Sequence, residues 1–152
     1  KLFFKKSGYI TKDWYPYFLA ARRKGKDFNE AYMDGEISSY AKRIYEVVAA
    51  HSRIPSHVIK QEAGFSSEEK AAFDKGLTEL QMKLFITVCG NERTANWPSA
   101  VFCTTERFWG EALFVEADKI KPDIALKKIT EQVLYLNPSA PAKKIIKFIN
   151  GK

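Results

Sequence analysis

Positive charge is the chemistry this sequence offers most plainly. Arg22, Arg23, Lys24 and Lys26 stand almost side by side, and Lys127, Lys128, Lys143, Lys144 and Lys147 gather near the other end. Guanidinium and ammonium groups at that density bind phosphate through charge, in a salt-sensitive way that reads no base sequence. If the two ends of the chain converge, these groups form one basic face; taken separately they are an ordinary solvated, lysine-rich surface. Arg93, Asn96 and Trp97 form a second set, a cation, an amide and an indole in the polar stretch Gly90 to Pro98. Such a trio can enter a minor groove or stack on an exposed base, and the indole can equally fold back onto its own hairpin. Lys70 and Lys75 follow the polar run Ser66-Ser67-Glu68-Glu69. With Lys83 they are the cations that partly offset two acids where a phosphate would approach.

Catalytic chemistry finds no comparable set. His51 and His57 flank Pro55, but no Ser or Cys nucleophile sits in a recognisable elbow, and no glycine-rich phosphate loop occurs. Glu62, Glu68 and Glu69 read as solvated acids near helix ends rather than as a general base. Two isolated cysteines and two distant histidines make no zinc pattern, so neither a metal nor a cofactor is expected. Cys89 and Cys103 lie among β-branched and aromatic neighbours, as buried thiols of a reducing compartment do, and the cytoplasm is the expected location. A hairpin register pairing Phe85 with Cys103 would leave Cys89 nearer the tip and the two thiols unbonded. The pair Phe3-Phe4 is flanked by lysines, so no secretory leader is read, and no apolar run nears the ~18 residues that span a bilayer.

The net charge of +7 is unevenly placed. Residues 1–26 hold eight Lys/Arg against Asp13, residues 119–152 hold eight against Asp123 and Glu131, and the middle is acidic. An acidic partner such as nucleic acid suits the ends, and a protein partner suits the middle.

These residues need elements to hold them. Thr11 or Asp13 caps a first helix bearing Trp14, Tyr15, Phe18 and Leu19, and a short helix from Asp27 to Met33 is stopped by Gly35. From Ser38 the apolar spacing of Tyr40, Ala41, Ile44, Tyr45 and Val48 predicts a helix, and Pro55 opens a shorter one over His57 to Ala63. The turn Gly64-Phe65-Ser66 leads to a third helix from Ser67 to about Lys83, with Ser66 and Glu69 as a capping box and Gly76 as an internal weakness. Leu84 to Cys89 and Ala100 to Thr104 predict a two-stranded hairpin. Thr105 caps a helix to Ala117, Asp123 one to Leu136, and Ser139 one over Pro141 to Ile149. The expectation is a single domain over 1–152, mostly α with a minor β part. Its winged helix-turn-helix core spans about 38–105, with extra N-terminal helices over 1–37, C-terminal helices over 106–150 and a two-stranded β-hairpin wing.

Trp14-Tyr15-Pro16-Tyr17-Phe18-Leu19-Ala20-Ala21-Arg22-Arg23, Ala41-Lys42-Arg43-Ile44-Tyr45 and Leu77-Thr78-Glu79-Leu80-Gln81-Met82 resemble the AlkZ-related bacterial winged-helix proteins. That group is similar to alkylpurine DNA glycosylases built from tandem winged-helix units, which excise damaged bases and unhook interstrand crosslinks. The resemblance implies DNA as partner and a role in DNA repair or transcription. The glycosylases' Gln-x-Gln or Gln-x-Asp motif has no match, because Gln61, Gln81 and Gln132 are followed two places on by Ala63, Lys83 and Leu134. A non-catalytic DNA-binding protein is therefore expected, contacting duplex through Arg22, Arg23, Lys24, Lys26, Lys70, Lys75, Arg93, Asn96 and Trp97. A glycosylase-like enzyme and a protein-interaction module are the two rivals.

Overall fold

The computed structural model describes residues 1–93 and 98–151. The chain is mostly α with one small antiparallel sheet, as the sequence pattern predicts. A short 3-10 turn over Lys12–Trp14 leads into α1 (Tyr15–Arg23), followed by α2 (Phe28–Met33) and α3 (Ser39–Ala50). Next come β1 (Ile54–Pro55), α4 (Ser56–Glu62) and α5 (Lys70–Met82), then the strands β2 (Ile86–Arg93) and β3 (Pro98–Thr104). The remainder is α6 (Thr105–Trp109), α7 (Glu111–Asp118), α8 (Pro122–Leu136) and α9 (Ala142–Ile149). Local capping explains several starts. Asp27 and Glu30 form a reciprocal capping box on α2, Ser38 Oγ accepts from Ala41 N at α3, and Pro122 occupies the first turn of α8.

Two expected boundaries shift for physical reasons, and the sheet gains a strand. The third helix starts at Lys70, because only half of its capping box forms: Ser66 N donates to Glu69 Oε2 at 3.0 Å, and no hydroxyl returns the bond to Glu69 N. The helix expected after Thr105 is capped instead by Thr104, whose side chain accepts from Arg107 N, and breaks at Gly110 with φ 79°. The sheet has three strands in the order β1-β3-β2, since Ile54 and Pro55 pair with Phe102 and Val101. A strand of two residues leaves no periodicity to read.

The hairpin register also departs from expectation. Ile86 opposes Thr104, Thr87 opposes Cys103 and Val88 opposes Phe102, after which Gly90 opposes Val101. Cys89 is the extra residue of a β-bulge. Cys103 therefore faces Thr87 rather than Phe85, and Cys89, two residues on from Thr87, lies diagonal to Cys103.

Two apolar clusters meet where α5 becomes β2. One joins Ile44, Val48, Ile59, Phe73, Leu80, Phe85 and Phe102 of α3, α4, α5 and the sheet. The other joins the two ends of the chain, with Tyr15, Phe18 and Leu19 of α1 against Leu113, Ala125, Ile129, Ile145 and Ile149 of α7, α8 and α9. Leu84, held at φ 64°, enters the second cluster while Phe85 enters the first. Gly76 is no internal weakness. It is buried against α3, where a Cβ would stand 3.1 Å from Ala41 N and from Tyr40 C, so its lack of a side chain sets the approach of the two helices.

Candidate nucleic-acid interface

A cation can hold phosphate only if it is not already committed, and most of the arginines here are. Arg22 is buried, with Nε donating to Ile149 O at 2.7 Å, Nη1 to Met82 O at 2.7 Å and Nη2 to Phe148 O at 3.1 Å. The negative, carbonyl-bearing ends of α5 and α9 converge on this guanidinium, an arrangement that selects a cation. Gly151 makes it possible: at φ 66° it has no Cβ where one would meet Arg22 Nη1 at 2.9 Å. Burial pushes Arg22 down to about 10. Arg23 donates to Glu106 Oε1 at 2.6 Å, to Thr105 Oγ1 at 2.8 Å and to Leu84 O, with its guanidinium stacked on the Phe85 ring. Arg43 caps the end of α4 through Ala63 O at 2.8 Å and Gly64 O at 2.7 Å. Arg107 caps α3 through Ala49 O at 2.8 Å and the carbonyls of Val48 and His51.

The sequence-predicted cluster at the first helix is thus divided. Arg22 and Arg23 turn inward. Lys26 pairs with Asp34 at 2.8 Å and with Glu36, whose carboxyl it holds below the usual carboxylate range. Lys24, the left-handed cap of α1, is exposed. The two ends of the chain do converge: α1 packs on α8 and α9, and Lys128 Nζ donates to Tyr17 Oη at 2.7 Å. Lys24 and the exposed Lys75 of α5 border one cleft of about 800 Å³, together with Lys5 and Lys83. Lys83 also reaches Glu36 at 3.4 Å. Lys70 opens α5 from an exposed position.

On the hairpin the cations are differently placed. Arg93 ends β2, is exposed and has no acid partner among the described residues. Asn96 and Trp97 lie outside the described residues. At the root of the hairpin stands Arg53, which sequence reading did not single out. Its Nη2 donates to Cys89 O at 3.3 Å and occupies the space that a Cβ on Gly90 would fill. A glycine inside a strand pattern signals a bulge or a close approach, so Gly90 was the available clue. Beside it, Ser99 Oγ of β3 lies 3.1 Å from Ser56 Oγ and 3.2 Å from His57 Nδ1, fastening the hairpin to α4. Among the described residues no group of His, Cys, Asp and Glu is arranged to hold a metal ion, and no helix is long and apolar enough to cross a membrane.

What the arrangement can do follows from this division. The internal arginines are fixed by carbonyls and rings, while Arg93 stands at the outer end of β2 and Arg53, just before β1, lies against the bulge of the hairpin. Such a ribbon can straddle a phosphate backbone. A family model described as AlkZ related matches residues 1–150. No curated protein and no solved structure matches the chain.

Proposed function

The chain belongs to the AlkZ-related family, and on that premise we propose that it is a winged-helix DNA-binding protein of DNA repair or transcription. In this reading α3, α4 and α5 are the three helices and β2–β3 is the wing. The wing follows the duplex backbone through Arg53 and Arg93, with Asn96 and Trp97 assigned to its tip. Lys24, Lys70 and Lys75 add charge from α1 and α5. Arg22 and Arg23, expected from sequence to touch phosphate, act instead inside the protein by holding helix ends and a carboxylate, and Lys26 is engaged by Asp34 and Glu36 at the surface.

The observation that carries the reading is the contrast between arginines: Arg22, Arg23, Arg43 and Arg107 are consumed by carbonyls, whereas Arg93 is exposed at the end of β2 with no acid partner among the described residues. Arginines kept in the open on a β-ribbon have phosphate as their natural partner. A duplex titration at several salt concentrations tests this. Affinity falling linearly in log–log form with salt supports it, and affinity that stays flat favours a protein partner instead. Release of a base from alkylated duplex by the pure chain would replace the binding reading by the glycosylase one.

A further inference from the structure

The root of the hairpin holds two sulfurs that the nucleic-acid reading does not use. Cys103 sits in β3 opposite Thr87 and is 3% exposed, whereas Cys89 is half-buried in the bulge of β2. A regular ladder would set Cys89 opposite Val101 and turn the following residues to alternate faces. Cys89, two residues beyond the Thr87 that faces Cys103 and left extra by the bulge, lies diagonally across the two strands from Cys103, near enough for its thiol to contribute to raising that of Cys103. Both are free. Arg53 Nη2 rests on the Cys89 carbonyl, so any change in the bulge is felt by the guanidinium at the wing root.

We propose that Cys89 and Cys103 form a peroxide-responsive thiol pair, in which Cys89 is the oxidised sulfur and Cys103 the one that closes the disulfide. The Cys89 sulfur, as thiolate, attacks one peroxide oxygen. The O–O bond breaks, a sulfenic acid forms on Cys89, and the departing hydroxide takes a proton to become water. The Cys103 sulfur then attacks the Cys89 sulfur, the S–O bond breaks, and the second hydroxide leaves as water with the remaining thiol proton. Two thiols lose two electrons and two protons, and one peroxide becomes two waters. Burial pushes the Cys103 thiol up to about 12, which keeps it protonated and places first attack on the more accessible Cys89. The cross-link ties β2 to β3 at the bulge and fixes the ladder on which Arg53 rests. This inference stands apart from the nucleic-acid reading.

The test treats the full chain with hydrogen peroxide and maps its cysteine peptides under non-reducing conditions. The expected product is a monomeric chain with both thiols lost, its Cys89 and Cys103 peptides joined and two hydrogens lighter, restored by dithiothreitol. Cys103→Ser should accumulate a Cys89 sulfenic acid that dimedone captures, and Cys89→Ser should keep its remaining thiol at the same peroxide dose. Sulfinic acid on Cys89 of the unaltered chain with Cys103 still a free thiol would overturn the proposal. So would a disulfide formed only between two chains.

Discussion

Arg22 Nε donates to Ile149 O at 2.7 Å, joining the first long helix of the chain to the last across 127 residues. Two further bonds from the same guanidinium reach Phe148 O and Met82 O, so one buried side chain closes the ends of α9 and α5 together. Removing it leaves three helix-terminal carbonyls without their donor, that of Ile149 in a buried position. Arg22→Met is expected to lower unfolding free energy by about 3 kcal/mol in urea denaturation. Arg22→Lys should recover less than half of that, because a single ammonium cannot span three carbonyls set by a planar fork. Stability unchanged in Arg22→Met would show that the convergence of helix ends carries no energy.

Gly76 offers a prediction whose sign is unusual. In an exposed helix interior, replacing glycine by alanine raises stability by about 0.5–1 kcal/mol through backbone entropy. Here the new methyl would meet the backbone of α3 at Ala41 and Tyr40, which cannot move as a flexible side chain can. Gly76→Ala is therefore expected to lose about 1–3 kcal/mol as α5 is pushed from α3. A stabilised variant in thermal or urea unfolding would contradict the close approach.

Much of this was legible in the sequence. Apolar spacing marked α3, Asp27 and Ser38 announced their helices, and the β-branched runs located the hairpin. The arginine cluster was not, because a run such as Arg22-Arg23-Lys24-Gly25-Lys26 has the same composition whether its guanidiniums meet phosphates or the ends of helices more than a hundred residues away. The register failed for a related reason. The strands continue to Arg93 and from Pro98 through what reads as loop, so alternation alone did not set which residue faces Cys103, and Gly90 was the lone mark of the bulge. Gly76 misled because helix propensity is local while its role lies in a neighbouring helix. At the candidate interface, Arg93 was legible as a cation on a loop-bearing hairpin, whereas Arg53 depended on β1, a strand of two residues.

Tyr15 gives the fold an alkaline signature. It is 4% exposed, and burial raises its hydroxyl to about 12, partly opposed by Arg23. The folded chain thus favours the neutral phenol. The stability this provides is complete below the ordinary value near 10 and is lost as pH rises from there to about 12. Arg22, lowered by burial, acts in the opposite sense over the same range, so comparison with Tyr15→Phe isolates the phenol. The unaltered chain should lose about 2–3 kcal/mol relative to Tyr15→Phe across that interval in urea unfolding. A constant difference between the two proteins would contradict the assignment.

In the nucleic-acid reading, Arg93 of the hairpin and Arg53 beside its bulge meet the phosphate backbone. The direct measurement is duplex affinity over a range of salt for the unaltered chain and for Arg53→Gln/Arg93→Gln, both shown to be folded by circular dichroism. Each lost phosphate contact should lower the slope of log affinity against log salt by about 0.9, so the double variant should bind more weakly at low salt with a slope smaller by about 2. Equal affinity and equal slope in the two proteins would contradict it.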